Sequence, residues 1–425
     1  MKNRNLTYSQ LFFAIWILSC AMLVVMGLYA GPTVMCCKIW KHNKLATIYS
    51  EWQMVAAYPW LISNHSSKAL FLTLYNDLDR LLMFMSNKTG KIALVRFSYP
   101  WQIMVQNEIY TLVKFGHVYN YIVMVGDEKS LQVCLELNLP CYNGTKYYKN
   151  YYRDADPTVD ASYLDKKHYR PINWFKLRFY RDILIRNYTI LALDTDIAFS
   201  RKDIWLSFEK YSEDVGNCDM IFMQEEPINA GFFYSRSNPS TITLLNKWID
   251  TERTHWDLDE QQSFIALRGY YYGICNTTEQ CNAIKQRRMI NIQNNLTDSA
   301  EIPTVTLRTF PAAYAFYGTG VCPTNRKVHP CLPTTVLLHT ICLIGQTSKI
   351  DMLKMNGFWL LKEHCDRQLI NSTIESNTTV TLDIRRCKPL IFKYPDAERR
   401  FQSCRNVIAW TTQTQITDRN FSAQG

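Results

Sequence analysis

Leu191-Ala192-Leu193-Asp194-Thr195-Asp196-Ile197-Ala198-Phe199 continues an apolar run from Ile190 into two aspartates separated by a single residue. The run reads as a buried strand. Alternate side chains on a strand share a face, so Asp194 and Asp196 would both reach one ion while Thr195 points away. Hard carboxylate oxygens suit Mg2+ or Mn2+ holding a diphosphate, and a divalent cation eases the departure of such a group by neutralising its charge. Two aspartates on a surface turn are the plain alternative, so the reading depends on the rest of the chain.

Upstream, strand and helix patterns alternate. Ile92 to Phe97 is a short apolar run, Gln102 to Phe115 carries helix-spaced apolar positions, and Tyr119 to Val125 is β-rich and ends at Gly126-Asp127. Glu128 to Leu137 then reads as helix, Ile172 to Ile185 as a longer amphipathic helix, and Thr189 to Leu193 as the strand delivering the aspartates. This βαβα order predicts an α/β fold with a mostly parallel sheet and ligands bound beyond the carboxyl ends of its strands. Asp127 and Asp194 both stand at such ends. No Gly-x-Gly-x-x-Gly follows the first strand and no Walker A sequence is present, which argues against dinucleotide or ATP binding by those routes.

Leu11 to Tyr29 is uncharged and apolar, long enough at about 1.5 Å per residue to cross a bilayer core of roughly 30 Å. It reads as an uncleaved anchor over 11–30 behind a tail at 1–10, since the run exceeds the apolar region of a signal peptide. Asn-x-Ser/Thr sequons follow at Asn64, Asn87, Asn143, Asn187, Asn276, Asn295, Asn371, Asn377 and Asn420, which orients the remainder toward the secretory lumen. Of 14 cysteines, Cys134/Cys141, Cys275/Cys281 and Cys322/Cys331 are spaced for local disulfides, whereas Cys342 reads as a buried free thiol. A net charge of +10 favours anionic partners, but the basic residues form no dense block and nucleic acid is not an expected partner. Residues 31–89 read as a stem, 90–362 as the α/β domain, and 363–425 as an extension pinned through Cys387 and Cys404.

Four stretches carry a family resemblance: NWFKLRFYRDILIRNYTILALDTDIAF, INAGFFYSRSNPSTITLLNKWID, EQQSFIAL and VLLHTICLIGQTSKIDMLKMNGFW. In this order and spacing they resemble the nucleotide-diphospho-sugar transferase domain, which includes the plant xylosyltransferases and arabinosyltransferases of glycosyltransferase family 77. The resemblance implies a GT-A type, Rossmann-like mixed sheet. It also implies transfer of a sugar from a nucleotide donor, UDP-linked, to a glycan or glycoprotein acceptor with retention of configuration. A Golgi membrane protein of single-pass type II follows from the anchor, the sequons and the absence of a KDEL-like ending.

Residue by residue, Asp194 and Asp196 match the family's Asp-x-Asp, and His339 matches its late histidine, which looks like a third ligand. Imidazole beside carboxylates shifts preference from Mg2+ toward Mn2+. Lys176 matches a lysine placed to meet phosphate, with a solvated helix face as the alternative. Asn229 and Gly231 match a turn lining the sugar pocket, where Gly permits close approach and Asn can bond hydroxyls. Glu260-Gln261 stands where the family has Asp-Gln, and Asp259 could compensate for the difference. Ala313 in Phe310–Tyr314 replaces a common glycine. Glu225, Glu226 and Glu260 are candidates for a covalent route to retention. Two other classes fit parts of the pattern. A haloacid dehalogenase-type phosphohydrolase also has a strand before Asp-x-Asp, but Ala198 and the motif's position depart from it. A catalytically silent luminal protein could keep the fold for carbohydrate binding or assembly.

Overall fold

The structure is a computed structural model that describes residues 72–86, 89–151, 166–200, 204–214, 218–223, 228–255, 257–269, 305, 307–310, 315–316, 336–341, 343–361, 366–373 and 379–387, with isolated positions at 279, 282–283 and 286. The proposed anchor, most of the stem, Glu225, Glu226, Pro311–Tyr314, Cys342, the Cys275/Cys281 and Cys322/Cys331 pairs and Cys404 lie outside the described residues. Among the described residues no helix is long and apolar enough to cross a membrane.

The strands are β1 Lys91–Phe97, β2 Tyr121–Val125, β3 Cys141–Asn143, β4 Thr189–Leu193, β5 Ile197–Phe199, β6 Met220–Met223, β7 Asn229–Ser235, β8 Leu307–Phe310, β9 Ala315–Phe316, β10 Leu337–His339, β11 Asp366–Thr373 and β12 Thr379–Arg386. The helices are α1 Leu78–Met85, α2 Gln102–Lys114, α3 Glu128–Glu136, α4 Thr145–Tyr151, α5 Lys166–Ile185, α6 Ile204–Asp214, α7 Pro239–Thr254, α8 Glu260–Ser263 and α9 Gln346–Met355. Seven strands form the main sheet in the order β3-β2-β1-β4-β7-β6-β8. β3, β2, β1 and β4 run parallel, as the alternating pattern predicts, but β7 enters antiparallel to both β4 and β6. The sheet is therefore mixed and parallel-dominated.

β2 and the Ile190–Leu193 part of β4 are apolar throughout, as strands covered on both faces are, whereas β1 carries Lys91 and Arg96 near its two ends. Every residue of β2 is buried, as are Ile190 to Leu193 of β4. α2 is buried around nearly its full circumference, polar Gln106, Asn107, Glu108 and Thr111 included. Its amides close onto the C-terminal part of the chain. Gln106 donates to Arg385 O (3.1 Å) and accepts from Cys387 N (3.1 Å), while Asn107 donates to Phe358 O (3.2 Å) and accepts from Leu360 N (2.8 Å). Cys134 and Cys141 are joined by a disulfide as their spacing predicts, and Cys387 is also disulfide-bonded.

Three local features differ from the expectations. α5 begins at Lys166, ahead of the apolar periodicity, and contains Pro171 near its start. The last part of the stretch read as stem packs on the domain: α1 buries Leu78, Leu81, Leu82 and Met85, and Asn143 N donates to Tyr75 O (2.8 Å). Asp194 and Asp196 do not stand on a strand, but in the turn joining β4 to β5. The chain leaves the main sheet there and enters a small three-stranded sheet ordered β5-β10-β9.

Candidate active site

That departure builds the site. β5 pairs antiparallel with β10, bringing His339 opposite Ile197 and so beside Asp196. His339 Nε2 lies 3.1 Å from Asp196 Oδ1, and Thr340 Oγ1 donates to Asp196 Oδ2 over 3.3 Å. The backbone repeats the connection, since Thr340 N donates to Asp196 O (3.1 Å). One ligand atom from each of Asp194, Asp196 and His339 can be chosen so that all lie within 4.8 Å of one another. Two carboxylate oxygens and an imidazole nitrogen make a donor set suited to Mn2+ or Mg2+. His339 Nδ1 is buried without a hydrogen-bond partner.

β7 closes the site from the other side. Asp194 N donates to Gly231 O (2.7 Å), and a Cβ at position 231 would fall 2.4 Å from Asp194 Oδ2 and 3.1 Å from His339 Cε1. Glycine is required because the carboxylate fills the space a side chain would take. Asn229 Oδ1 accepts from Gly231 N (3.0 Å), and Gln261 Oε1 accepts from Ala230 N (3.0 Å). Asn229 thus starts β7 instead of forming a turn before it. Gln261 holds the strand edge that carries Gly231.

Lys176 is neither on a solvated face nor open to a ligand. It is 1% exposed, with Nζ 3.1 Å from Asp194 Oδ1 and 3.0 Å from Glu260 Oε1. Burial lowers its pKa, but the two carboxylates outweigh that and hold it above the ordinary lysine value. Burial likewise pushes Asp194 up, and Lys176 followed by Arg96 brings it below the usual carboxylate range. Glu260 is raised, chiefly by burial. Its neighbour Asp259 caps α8 by accepting from Gln262 N (2.7 Å), so Glu260 is the carboxylate that enters the site. Asp127 sits at the carboxyl end of β2 and caps α3 by accepting from Ser130 N (2.8 Å).

Three further residues belong here. Lys349 of α9 makes an ion pair with Asp196 Oδ2, and its Nζ lies 5.7 Å from the centre of the Trp101 ring. Burial raises the Asp196 pKa, but Lys349 and then His339 drive it well below the usual range. Glu108 on α2 is fully buried with no hydrogen-bond partner on either oxygen. Burial, followed by repulsion from Asp196 and Asp194, raises its pKa well above the ordinary value. Arg96, at the end of β1, donates from Nη1 to Asn173 Oδ1 (2.9 Å). The sequence offered no distinct signal for Glu108, which stands beside Gln106 and Asn107 in IMVQNEIYTLV. Lys349 and Arg96 carry no motif of their own.

The fold is that of an α/β protein whose parallel-dominated sheet brings two carboxylates and an imidazole, a group able to hold a cation, together just beyond the end of β4. Residues 116–353 match the family described as nucleotide-diphospho-sugar transferase, more than half of the chain, and the protein belongs to that family. It is similar to the UDP-galactose:fucoside alpha-3-galactosyltransferase of Dictyostelium discoideum, at 23% identity over 54% of this chain and 34% of that protein. It is also similar to beta-arabinofuranosyltransferase RAY1 of Arabidopsis thaliana, at 23% identity over 67% of this chain and 50% of that protein. The chain spans half or less of the length of these relatives. Among solved structures, the apo form of mouse xyloside xylosyltransferase 1 aligns with 60% of this chain and 99% of its own, at 12% identity and a TM-score of 0.35.

Proposed function

We propose that the chain is a metal-dependent, retaining glycosyltransferase of GT-A type, moving a sugar from a UDP-linked donor to a hydroxyl of a glycan or glycoprotein. The observation that carries this is the convergence of Asp194, Asp196 and His339 over a glycine that leaves room for a carboxylate alone. Those three residues would hold Mn2+. Bound there, the ion would neutralise charge on the departing diphosphate. The chain's own residues do the rest: Lys176 fixes the Asp194 carboxylate, Thr340 orients Asp196, and Gln261 with Asn229 sets the strand that brings Gly231 against the site. UDP as carrier is supported by the name of the Dictyostelium relative.

Release of UDP from a panel of sugar nucleotides, with and without Mn2+, tests the proposal. Turnover that requires the metal and disappears in Asp196→Asn is expected. Turnover that survives both changes would sink the metal-dependent reading. A second reading, a silent luminal protein that binds without transfer, is favoured by one observation: the Lys349 ammonium makes an ion pair with Asp196, a carboxylate the ion would need. Donor binding that needs Mn2+, with no turnover in the presence of varied acceptors, would select it.

Placement of the domain in the Golgi lumen behind the 11–30 anchor is part of the same proposal. Asn187 is exposed in a turn with φ 62°, whereas the Asn143 amide is engaged with Asn76 Oδ1 (3.0 Å) and its carbonyl oxygen with Thr145 N (3.1 Å). Glycan on Asn187 and not on Asn143, found by mass spectrometry of protein from a eukaryotic host, is the expected result. Unmodified Asn187 would count against luminal exposure.

A further inference from the structure

Resting on the transferase reading, we propose that Arg96 is a specificity-determining residue: it reads the hydroxyls of the donor's sugar ring and confines the subsite beside Asp194 to uncharged sugars. Alternation along two neighbouring parallel strands places it there. Val95 is in register with Leu193, and both belong to one core face with Ala93, Phe97 and Leu191. Arg96, one residue further on in β1, therefore projects from the opposite face, and Asp194, in the turn after β4, meets the same helix: Arg96 bonds Asn173 and Asp194 pairs with Lys176, both of α5.

α5 turns a polar stripe toward that place. Tyr169, Asn173, Lys176 and Tyr180 recur at spacings of four, three and four, which is one face of a helix. Asn173 hydrogen-bonds both Arg96 and the Tyr169 hydroxyl. Lys176, within the stripe, is buried and ties Asp194 to Glu260. The groups left partly open are Arg96, Tyr169 and the Asp194 carboxylate, whose side chain is 19% exposed. Arg96 makes one hydrogen bond among the described residues, so most of its five N–H donors remain available.

Charge then selects the occupant. Arg96 and Lys176 supply two positive charges, Asp194 and Glu260 two negative ones, and the set is balanced before any ligand arrives. A carboxylated sugar would bring an unmatched charge beside Asp194, and an amino sugar would bring one beside Arg96. Neutral hydroxyls can accept from Arg96 and donate to Asp194 without disturbing the balance. Asp196, His339 and Lys349 are held by the β4–β5 turn, β10 and α9, elements to which Arg96 makes no hydrogen bond among the described residues.

Titration of the full chain in Mn2+ with UDP, UDP-galactose, UDP-xylose and UDP-glucuronate isolates the sugar's share of binding. We expect an uncharged UDP-sugar to bind more tightly than UDP, and UDP-glucuronate to gain nothing over UDP. Arg96→Gln should keep UDP affinity and lose the sugar increment by about tenfold. Arg96→Lys, which keeps the charge but not the planar fork, should lose most of the same increment. An unchanged increment in both variants overturns the proposal, as does a fall in UDP affinity itself, which would place Arg96 on phosphate. Equal gain for UDP-glucuronate also overturns it. If neither UDP nor any UDP-sugar binds the wild-type chain with Mn2+, the transferase reading falls and takes this one with it.

Discussion

Asp194 and Asp196 each meet a lysine brought by a helix, yet the two halves of the site are held differently. On the Asp194 side, Lys176 is buried between two carboxylates and has no route to solvent. On the Asp196 side, Lys349 is 15% exposed, and its carboxylate is also held by His339 and Thr340. One lysine is part of the framework. The other shares its carboxylate with groups that would remain if it moved. A ligand or cation entering from solvent therefore competes with Lys349 and leaves Lys176 in place.

Lys176→Met should break the first half most severely, because it leaves Asp194 and Glu260 buried without their cation. We expect a loss of about 3–5 kcal/mol in urea denaturation, partly recovered when Glu260→Gln is added. A loss under about 1 kcal/mol would mean that the pair is not buried in solution. Gly231→Ala strikes the junction of the two halves by forcing Asp194 and His339 apart. It should keep the fold while reducing metal-dependent turnover by about 100-fold, measured beside Mn2+ affinity. Lys349→Ala should cost only about 1–2 kcal/mol and tighten Mn2+ binding when no nucleotide is present. Weaker Mn2+ binding in that variant would contradict the competition argued above.

The smallest effect concerns Glu108, behind both halves. Its folded pKa is raised, so the native state holds this proton more tightly than the unfolded chain does. Its contribution to stability is full below about pH 4.3 and falls as pH rises toward the native value. Glu108→Gln should remove that fall, raising metal-free stability at pH 8 relative to pH 5. Parallel stability curves for the two proteins across this range would show that the carboxyl is already solvated.

Strands β1, β2 and β4 and helices α2 and α3 were legible within two residues because the strands are short apolar runs and the helices carry helix-spaced apolar positions. The clustering of Asp194, Asp196 and His339 was anticipated through motif order and family resemblance, and the Cys134–Cys141 bond through its spacing. The role of Lys176 was not. Sequence offered phosphate or solvent for its ammonium, and the answer was a pair of carboxylates from two distant segments. Gln261 was singled out by resemblance to the family's Asp-Gln, and its amide oxygen accepts from the Ala230 backbone. Burial decides such cases, and burial of a polar residue depends on what another part of the chain places against it.

By itself, then, the sequence determined the alternating elements, the parallel half of the sheet and the adjacency of Asp194 and Asp196, since each follows from local periodicity or from a short motif. Tertiary structure decided that the aspartates turn off the sheet, that β7 enters antiparallel, and that Lys176, Lys349, Arg96 and Glu108 surround them. Those outcomes rest on contacts between residues far apart in the chain, where the field at a side chain is set by its neighbours in space.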